Sequence, residues 1–377
     1  MTRGLERKPR FGPLRARRWW AVLGLLGAVG CEGRCGGASA TAPGVPSPSQ
    51  SLSEAERRAL PGTIVFLSER AGQKDVWRVT PAGEETQVTS APEDEYPGPP
   101  SPDGRTLLVV ASGEANGGVF QQLRAQPLSG GAAVALHPPR PRARNASWGP
   151  DGKWLVTESD AQGFSDVVRL PLVANAVDTP VTHVKQGCFE PAVSPDGTEV
   201  ACVCSGEGDP EVYVYRADGT GEPRRITTFY MEDRSPQWSP DGRWLAFVSN
   251  RERRERVYLV RPDGSDVRAL SGEGFAGDER EAAFSPDGQR VAYVARLEDG
   301  KSRIWVATVA GGAPVALTDG THRDDMPAWS PDGKALVFVS ERDGDTDLYL
   351  MRADGTGQTR LTTAKGADWL PRWFVPR

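Results

Sequence analysis

The sequence has few of the residues from which catalytic and metal sites are usually built. Its 377 residues include three histidines, His137, His183 and His322, and five cysteines without a Cys-x-x-Cys pair. This spacing gives no sign of a zinc site, and a Gly-x-Ser-x-Gly nucleophile elbow is also absent. Long amphipathic helical patterns are missing, which argues against a helical fold. We therefore expect no enzyme, no metal and no cofactor.

No apolar run is long enough to cross a bilayer comfortably. The longest, residues 19–30, has twelve residues and follows a segment with seven Lys/Arg and one Glu, which is typical of a signal peptide over residues 1–30. The rest of the chain has 38 basic and 49 acidic residues, a net charge near −11. An acidic protein of this kind is a poor match for nucleic acid, which requires basic surface.

The apolar run ends in "AVGC", residues 28–31, which resembles a bacterial lipoprotein signal. This resemblance implies lipid attachment at Cys31 and an exported protein, more in keeping with an outer-membrane lipoprotein, facing the periplasm or the cell surface, than with a freely secreted one. Simple secretion with cleavage after "ASA", residues 38–40, is the alternative. Residues 31–61 are small and Pro-rich and are predicted to be a disordered linker, in which Ser53 and Glu56 match a capping box.

A turn motif recurs along the remaining chain. "SPDG" begins at residues 101, 194, 239, 285 and 330, and "GPDG" at 149, in steps of 48, 45, 45, 46 and 45 residues. Proline and aspartate favour a type I turn, and glycine accepts the left-handed conformation that follows in a bulged hairpin. A strand-rich repeat near 45 residues is typical of a β-propeller with four-stranded blades.

The chain ends determine the predicted number of blades. In the last full repeat, residues 326–330, 335–340, 347–352 and 359–363 form strands A to D. Residues 62–90 contain strands B to D without strand A, and residues 370–376 match strand A alone. We predict an all-β, seven-bladed propeller over residues 62–377, in which the C-terminal strand pairs with the N-terminal blade and removes an exposed edge.

One face of this propeller carries the candidate binding residues. The B–C and D–A loops share that face and vary more than the "SPDG" and C–D turns opposite. In the structural interpretation, the arginines of this face bridge to the acidic loops and join neighbouring blades. In the functional interpretation, unpaired acids of this face bind a cation, a basic peptide or a sugar. The candidates are Asp94, Glu232, Asp233, Asp278, Glu279, His322, Asp324, Asp325, Asp368, Arg70, Arg251 and Arg342.

Three cysteines fall in one repeat. If Ser194 faces Thr198 across its turn, counting outward places Cys188 opposite Cys204. An exported protein permits a disulfide there. Half-buried thiols are the alternative.

Residues 327–362, "PAWSPDGKALVFVSERDGDTDLYLMRADGTGQTRLT", resemble the repeat of the TolB-type propeller family, which also occurs in the propellers of prolyl oligopeptidases and dipeptidyl peptidases. The resemblance covers residues 62–376 and implies the fold rather than the function, because the family uses the ring for many tasks. TolB has a preceding α/β domain and six blades, and the peptidases have a hydrolase domain. This sequence departs from both patterns.

Three hypotheses for function follow. The first is a lipid-anchored, monomeric propeller that acts as a protein-binding or scaffold module of the cell envelope, with a protein or glycan partner on the loop face. The alternative is an enzyme or binding protein that takes a glycan or glycoside in the channel. The third is an adaptor that assembles through the "SPDG" face.

Overall fold

The computed structural model describes residues 51–115, 118–160, 163–172, 177–206, 208–229, 231–272 and 277–376. Cys31 and the predicted signal peptide lie outside these residues. Within the described residues, no helix has both the length and the apolar character needed to cross a membrane.

The described residues form one short helix and seven four-stranded antiparallel sheets, each of them a propeller blade. Blade 1 combines β28 with β1 to β3, and blades 2 to 7 each take four consecutive strands. The predicted fold class is confirmed. The elements are α1 (Glu54–Ala59), β1 (Thr63–Ser68), β2 (Asp75–Val79), β3 (Glu85–Gln87), β4 (Asp94–Pro100), β5 (Thr106–Ala115), β6 (Gly118–Pro127), β7 (Val134–Ala135), β8 (Ala143–Trp148), β9 (Trp154–Ser159), β10 (Asp166–Pro171), β11 (Thr179–Pro180), β12 (Cys188–Val193), β13 (Glu199–Cys204), β14 (Glu211–Arg216), β15 (Arg224–Arg225), β16 (Asp233–Trp238), β17 (Leu245–Ser249), β18 (Arg256–Val260), β19 (Arg268–Ala269), β20 (Asp278–Phe284), β21 (Arg290–Arg296), β22 (Ser302–Thr308), β23 (Val315–Ala316), β24 (Asp324–Trp329), β25 (Ala335–Ser340), β26 (Asp347–Arg352), β27 (Thr359–Arg360) and β28 (Asp368–Phe374).

The repeated turn joins strands A and B of a blade through side-chain hydrogen bonds. In blade 7, Ser330 Oγ donates to Asp332 Oδ1 (2.7 Å) and accepts from the backbone N–H of Ala335 (2.9 Å). Gly333 follows with φ +69°, where a side chain would be strained. The motif is therefore a structural hairpin device.

Apolar side chains fill the spaces between neighbouring blades. Ile64 and Phe66 of β1 pack with Val337 and Leu350 of blade 7, and all four are fully buried. Each such side chain stabilises the fold by roughly 1.5–3 kcal/mol relative to an exposed one. The core is thus a series of layers around the ring.

Blade 1 combines the first three strands of the propeller with its last strand. β28 pairs with β1 in an antiparallel ladder that places Trp373 opposite Ile64. Trp373 Nε1 also donates to the carbonyl of Pro61, 2.8 Å away. Strands from the two ends of the propeller therefore share one sheet.

Helix α1 begins with the predicted capping box. Ser53 accepts from the backbone N–H of Glu56, and the Glu56 carboxylate accepts from the N–H of Ser53. Two otherwise unpaired N–H groups are satisfied in this way, which explains why so short a helix forms here.

The predicted disorder of the linker does not extend through residues 51–61. Leu52 is 7% exposed and belongs to the core between blades 7 and 1, and its N–H donates to the carbonyl of Gly357. Glu56 pairs with Arg352 at 2.6 Å. The buried leucine and this ion pair fix the segment to the ring, an arrangement that composition alone did not indicate.

The innermost strand of most blades contains a β-bulge after its second or third residue. At the bulge the pairing with strand B shifts by one residue, and one residue takes a positive φ between 51° and 56°. Bulges bend a strand and increase its twist. The positive-φ residues are Asn145, Glu190, Ser235, Glu281, Met326 and Leu370.

The bulge explains a wrong step in the predicted register of blade 4. Ser194 does not face Thr198, because its N–H donates to the carbonyl of Glu199 at 2.9 Å. Near the turn, the pairing of strands A and B is therefore shifted by one residue from the predicted register. Further along strand A, the bulge restores the predicted register. Cys188 therefore lies opposite Cys204.

Candidate functional site

Three of the predicted acids begin an innermost strand beside the end of strand B. In blade 7, Asp324 lies opposite Ser340 and is fully buried. Arg342 Nη2 donates to Asp324 Oδ1 at 2.9 Å, and its Nε donates to Ser340 Oγ at 2.8 Å. The guanidinium lies over the ring of Tyr349, 4.7 Å from its centroid. We call this arrangement the Asp–Arg–Ser clamp.

Blade 5 repeats the clamp. Arg251 Nη2 lies 3.1 Å from Asp233 Oδ2, and its Nε donates to Ser249 Oγ at 2.8 Å. Its guanidinium lies over Tyr258 and also over Phe229, which is 47% exposed. The arginine therefore links the buried acid to the surface of the loop face.

In blade 1 the clamp connects the two ends of the propeller. Arg70 Nη2 lies 2.7 Å from Asp368 Oδ2, and its Nε donates to Ser68 Oγ at 2.8 Å. Arg70 also pairs with Glu85 and lies over the ring of Trp77. Burial raises the pKa of Asp368 to about 6, although its hydrogen bonds and the charge of Arg70 act in the opposite direction.

The expectation that these arginines join neighbouring blades is wrong for all three. Each arginine follows strand B and pairs with the acid that begins strand A of the same sheet. The reason is the antiparallel A–B pairing, which places the end of strand B beside the start of strand A. Asp233, Asp324 and Asp368 are fully buried, and each pairs with its arginine through one oxygen while the other oxygen is buried without a hydrogen-bond partner, so they do not present free charge at the surface.

Blade 4 has a disulfide at the clamp position. Cys188 and Cys204 occupy the places that Asp324 and Ser340 hold in blade 7, and the structure joins their sulfurs. Gly206 stands two residues after Cys204, where the clamp has its arginine. A covalent bond thus replaces the ion pair between strands A and B.

Blades 2 and 6 place a glutamate at the clamp position. Glu95 and Glu279 face alanines in strand B and are 2% and 0% exposed. The predicted residues Asp94 and Asp278 lie one position earlier, because these two strands begin one residue sooner. Glu279 Oε2 accepts from the backbone N–H of Val257 at 3.0 Å.

The other predicted acids and the histidine do not converge. Asp325 accepts from Ser302 Oγ at 2.7 Å, in blade 6, and from Arg323 Nε at 2.6 Å. Glu232 and His322 are exposed. These three side chains therefore form no enclosed site with the clamps.

Two glutamates at bulge positions link the inner strands of adjacent blades. Glu281 of blade 6 accepts from the N–H of Met326 in blade 7, and Glu190 of blade 4 accepts from the N–H of Ser235 in blade 5, both at 2.6 Å. Each acceptor and donor stands at a bulge. The bulges thus provide the contacts between blades that were expected from the arginines.

Glu281 has a carboxyl group whose pKa is strongly raised. Burial raises its pKa to about 7, and the nearby charge of Asp325 raises it further, while Arg280 and Arg323 lower it. The carboxyl therefore changes its charge near neutral pH.

The loop face has a long hairpin that was not predicted from the sequence. β5 and β6 have ten residues each, and their pairing continues to Ala115 and Gly118. Strands B and C of the other blades have five to seven residues, so this hairpin projects beyond them. Val119 in it is 54% exposed. The 48-residue step between the first two turns was the available signal.

A family comparison matches more than half of the chain. The TolB beta propeller domain aligns with residues 173–281 and 280–376. A TolB homolog from Chlorobaculum tepidum is 40% identical over 85 residues, 22% of this chain and 19% of the relative. An uncharacterized peptidase, YuxL, from Bacillus subtilis is 38% identical over 96 residues, 24% of this chain and 15% of the peptidase. The chain spans less than a third of the length of the TolB homolog and of the peptidase.

Among solved structures, a TolB-like protein from Agrobacterium tumefaciens superposes with a TM-score of 0.54 at 24% identity, covering 73% of this chain and 96% of that chain. At that identity the likeness shows the fold alone.

We predict that Asp368→Ala lowers the free energy of unfolding by about 1–3 kcal/mol, because Arg70 loses one of its two carboxylate partners and keeps Glu85. Urea unfolding at pH 7 measures the loss. Asp299→Ala, an exposed aspartate in the B–C turn of blade 6, is the control and should cost well under 1 kcal/mol. Equal losses in the two variants would contradict the role of the clamp.

We predict that Glu281 makes the protein less stable as the pH rises. Its folded-state pKa lies above the ordinary value of 4.5, so the stability it contributes below pH 4.5 is lost as the pH rises through about 7. Glu281→Gln keeps an acceptor for Met326 and removes the titration. Melting temperatures from pH 5 to 8 should fall more steeply for the wild type, and parallel curves for the two proteins would refute the assignment.

Proposed function

The chain belongs to the TolB beta propeller domain family, and from that premise we propose that it is an exported, lipid-anchored module that binds another protein of the cell envelope. The proposed docking surface is the face formed by the B–C and D–A loops. A monomeric ring is sufficient for this function.

One observation carries the proposal: the three clamp acids of the loop face are paired within their own blades. Each clamp buries an aspartate against an arginine and a serine of the same sheet. A ring braced in this way holds its loops on a rigid scaffold, which is the usual arrangement of binding surfaces. The loops then select a partner by shape and by their exposed side chains.

The loop face offers varied exposed groups to a partner. Phe229 is 47% exposed beside Arg251, and Glu232 and His322 are exposed on nearby loops. The β5–β6 hairpin adds a projection with Val119 at its side. Aromatic and charged groups around a fixed projection suit a protein partner better than a small substrate.

The same geometry gives little support to the channel enzyme. That hypothesis requires unpaired acids and His322 in one deep pocket. His322 is exposed, and Asp324 and Asp325 both have partners. Exchange of Asp324 for alanine would remove a clamp and would therefore test stability rather than catalysis.

Site-specific photocrosslinking in intact cells tests the docking face. A photoreactive phenylalanine analogue placed at Glu232 or at His322 should capture the same envelope protein. The matched controls are Asp151 and Asp218, exposed aspartates in turns on the opposite face of blades 3 and 4, and they should not capture it. Equal capture from both faces, or none from the loop face, would overturn the proposal.

The lipid anchor has its own test. Cys31→Ser removes the proposed attachment sulfur and should move the protein from the membrane fraction to the soluble fraction. Cys35→Ser removes a neighbouring cysteine and should leave the protein with the membranes. Unchanged fractionation of Cys31→Ser, or equal release of both variants, would rule out the anchor.

A further inference from the structure

A groove on the opposite face of the ring lies between blades 5 and 6. Its cavity volume is about 840 Å³, within the range of pockets that hold organic ligands or short peptide segments. Blade 5 contributes Trp244, Arg261, Asp266 and Arg268, and blade 6 contributes the turn before β21 and residues 308–310. The groove is on the "SPDG" side, so it is separate from the loop face.

Two guanidinium groups, those of Arg261 and Arg268, line this groove, and their closest partners are mainly backbone carbonyls. Arg261 donates to the carbonyl of Arg243 at 3.3 Å, and Arg268 donates to that of Val309. These contacts hold the side chains in place without neutralising them.

Carboxylates compensate the groove only in part. Asp266 lines it and lies 3.7 Å from Arg261 and 4.0 Å from Arg268, beyond hydrogen-bonding distance. Arg268 Nε is also buried without an acceptor. The groove therefore has more cationic donors than the protein itself satisfies.

Stacking orients the guanidinium groups. Arg261 and Arg268 lie over the ring of Trp244, with centroid distances of 3.8 and 4.7 Å. An arginine held by its face keeps its edge available, and that edge matches a carboxylate with two parallel hydrogen bonds.

The apolar part of the groove favours a peptide. Trp244, Val309 and Ala310 line it beside the arginines. A ligand that fits must place carboxylates and apolar groups a few ångströms apart. A segment with acidic and aliphatic side chains does so, whereas a uronate oligosaccharide has few aliphatic groups.

We propose that this groove binds an acidic peptide segment of another protein through Arg261 and Arg268. The site is independent of the loop-face proposal, because it is formed by turns on the other side of the ring. The arginines bind the carboxylates of the peptide, and the apolar lining of the groove accommodates an adjacent aliphatic side chain.

Fluorescence anisotropy with the full chain and a fluorescein-labelled six-residue peptide of alternating glutamate and leucine tests this site. We expect saturable binding that weakens as salt rises. Arg261→Gln with Arg268→Gln should weaken binding at least tenfold. The control, Arg216→Gln with Arg243→Gln, removes the same charge from exposed arginines outside the groove and should change binding less than twofold.

A second variant keeps the test informative if the double variant folds poorly. Asp266→Asn removes the carboxylate of the groove and should tighten peptide binding about two- to fivefold, the size expected for a partly exposed charge. Absence of saturable binding, equal weakening in the control pair, or displacement of the peptide by trigalacturonate at a lower concentration than by unlabelled peptide would each overturn the proposal.

Discussion

The pairing of β28 with β1 is the constraint on which the rest of the ring depends. Every other blade is made from one continuous segment, whereas blade 1 forms only when both ends of the propeller meet. The clamp strengthens this requirement, because Asp368 is fully buried and its charge is tolerated only when Arg70 and Ser68 are in place. Closure of the ring and burial of this acid are therefore coupled, and the loops keep their positions only while both persist.

The same place in each blade is filled by different chemistry. Blades 1, 5 and 7 use an aspartate with an arginine, blades 2 and 6 a glutamate, and blade 4 a disulfide between Cys188 and Cys204. What is common is the position, where strand A begins beside the end of strand B. An ion pair or a covalent bond fastens these two strands in blades 1, 4, 5 and 7, whereas Glu95 and Glu279 face alanines and blade 3 has Ala143 at this place. The repeat therefore keeps the position but not one residue type.

Turn chemistry and strand periodicity were sufficient to predict the repeat, the seven blades and strands such as 335–340 and 347–352, because both signals are local in sequence. The offset between Ser194 and Glu199 was not predictable, since a bulge arises from the packing of adjacent inner strands. Recurrence identified Arg70, Arg251 and Arg342 as a set, but it could not show that each joins its own blade. The docking of Leu52 depends on a cavity between blades 7 and 1 that exists only in the folded ring.

The two faces of the ring differ in how their charges are compensated. On the loop face the clamp acids are buried and paired, so the exposed groups that remain, such as Phe229 and Glu232, must act through shape and individual contacts. In the groove between blades 5 and 6 the reverse holds, because backbone carbonyls position two arginines that share one carboxylate, Asp266. We therefore expect the groove to attract an acidic ligand electrostatically and the loops to select a partner by their shape. A rigid ring can offer both at once, because neither surface needs the blades to move.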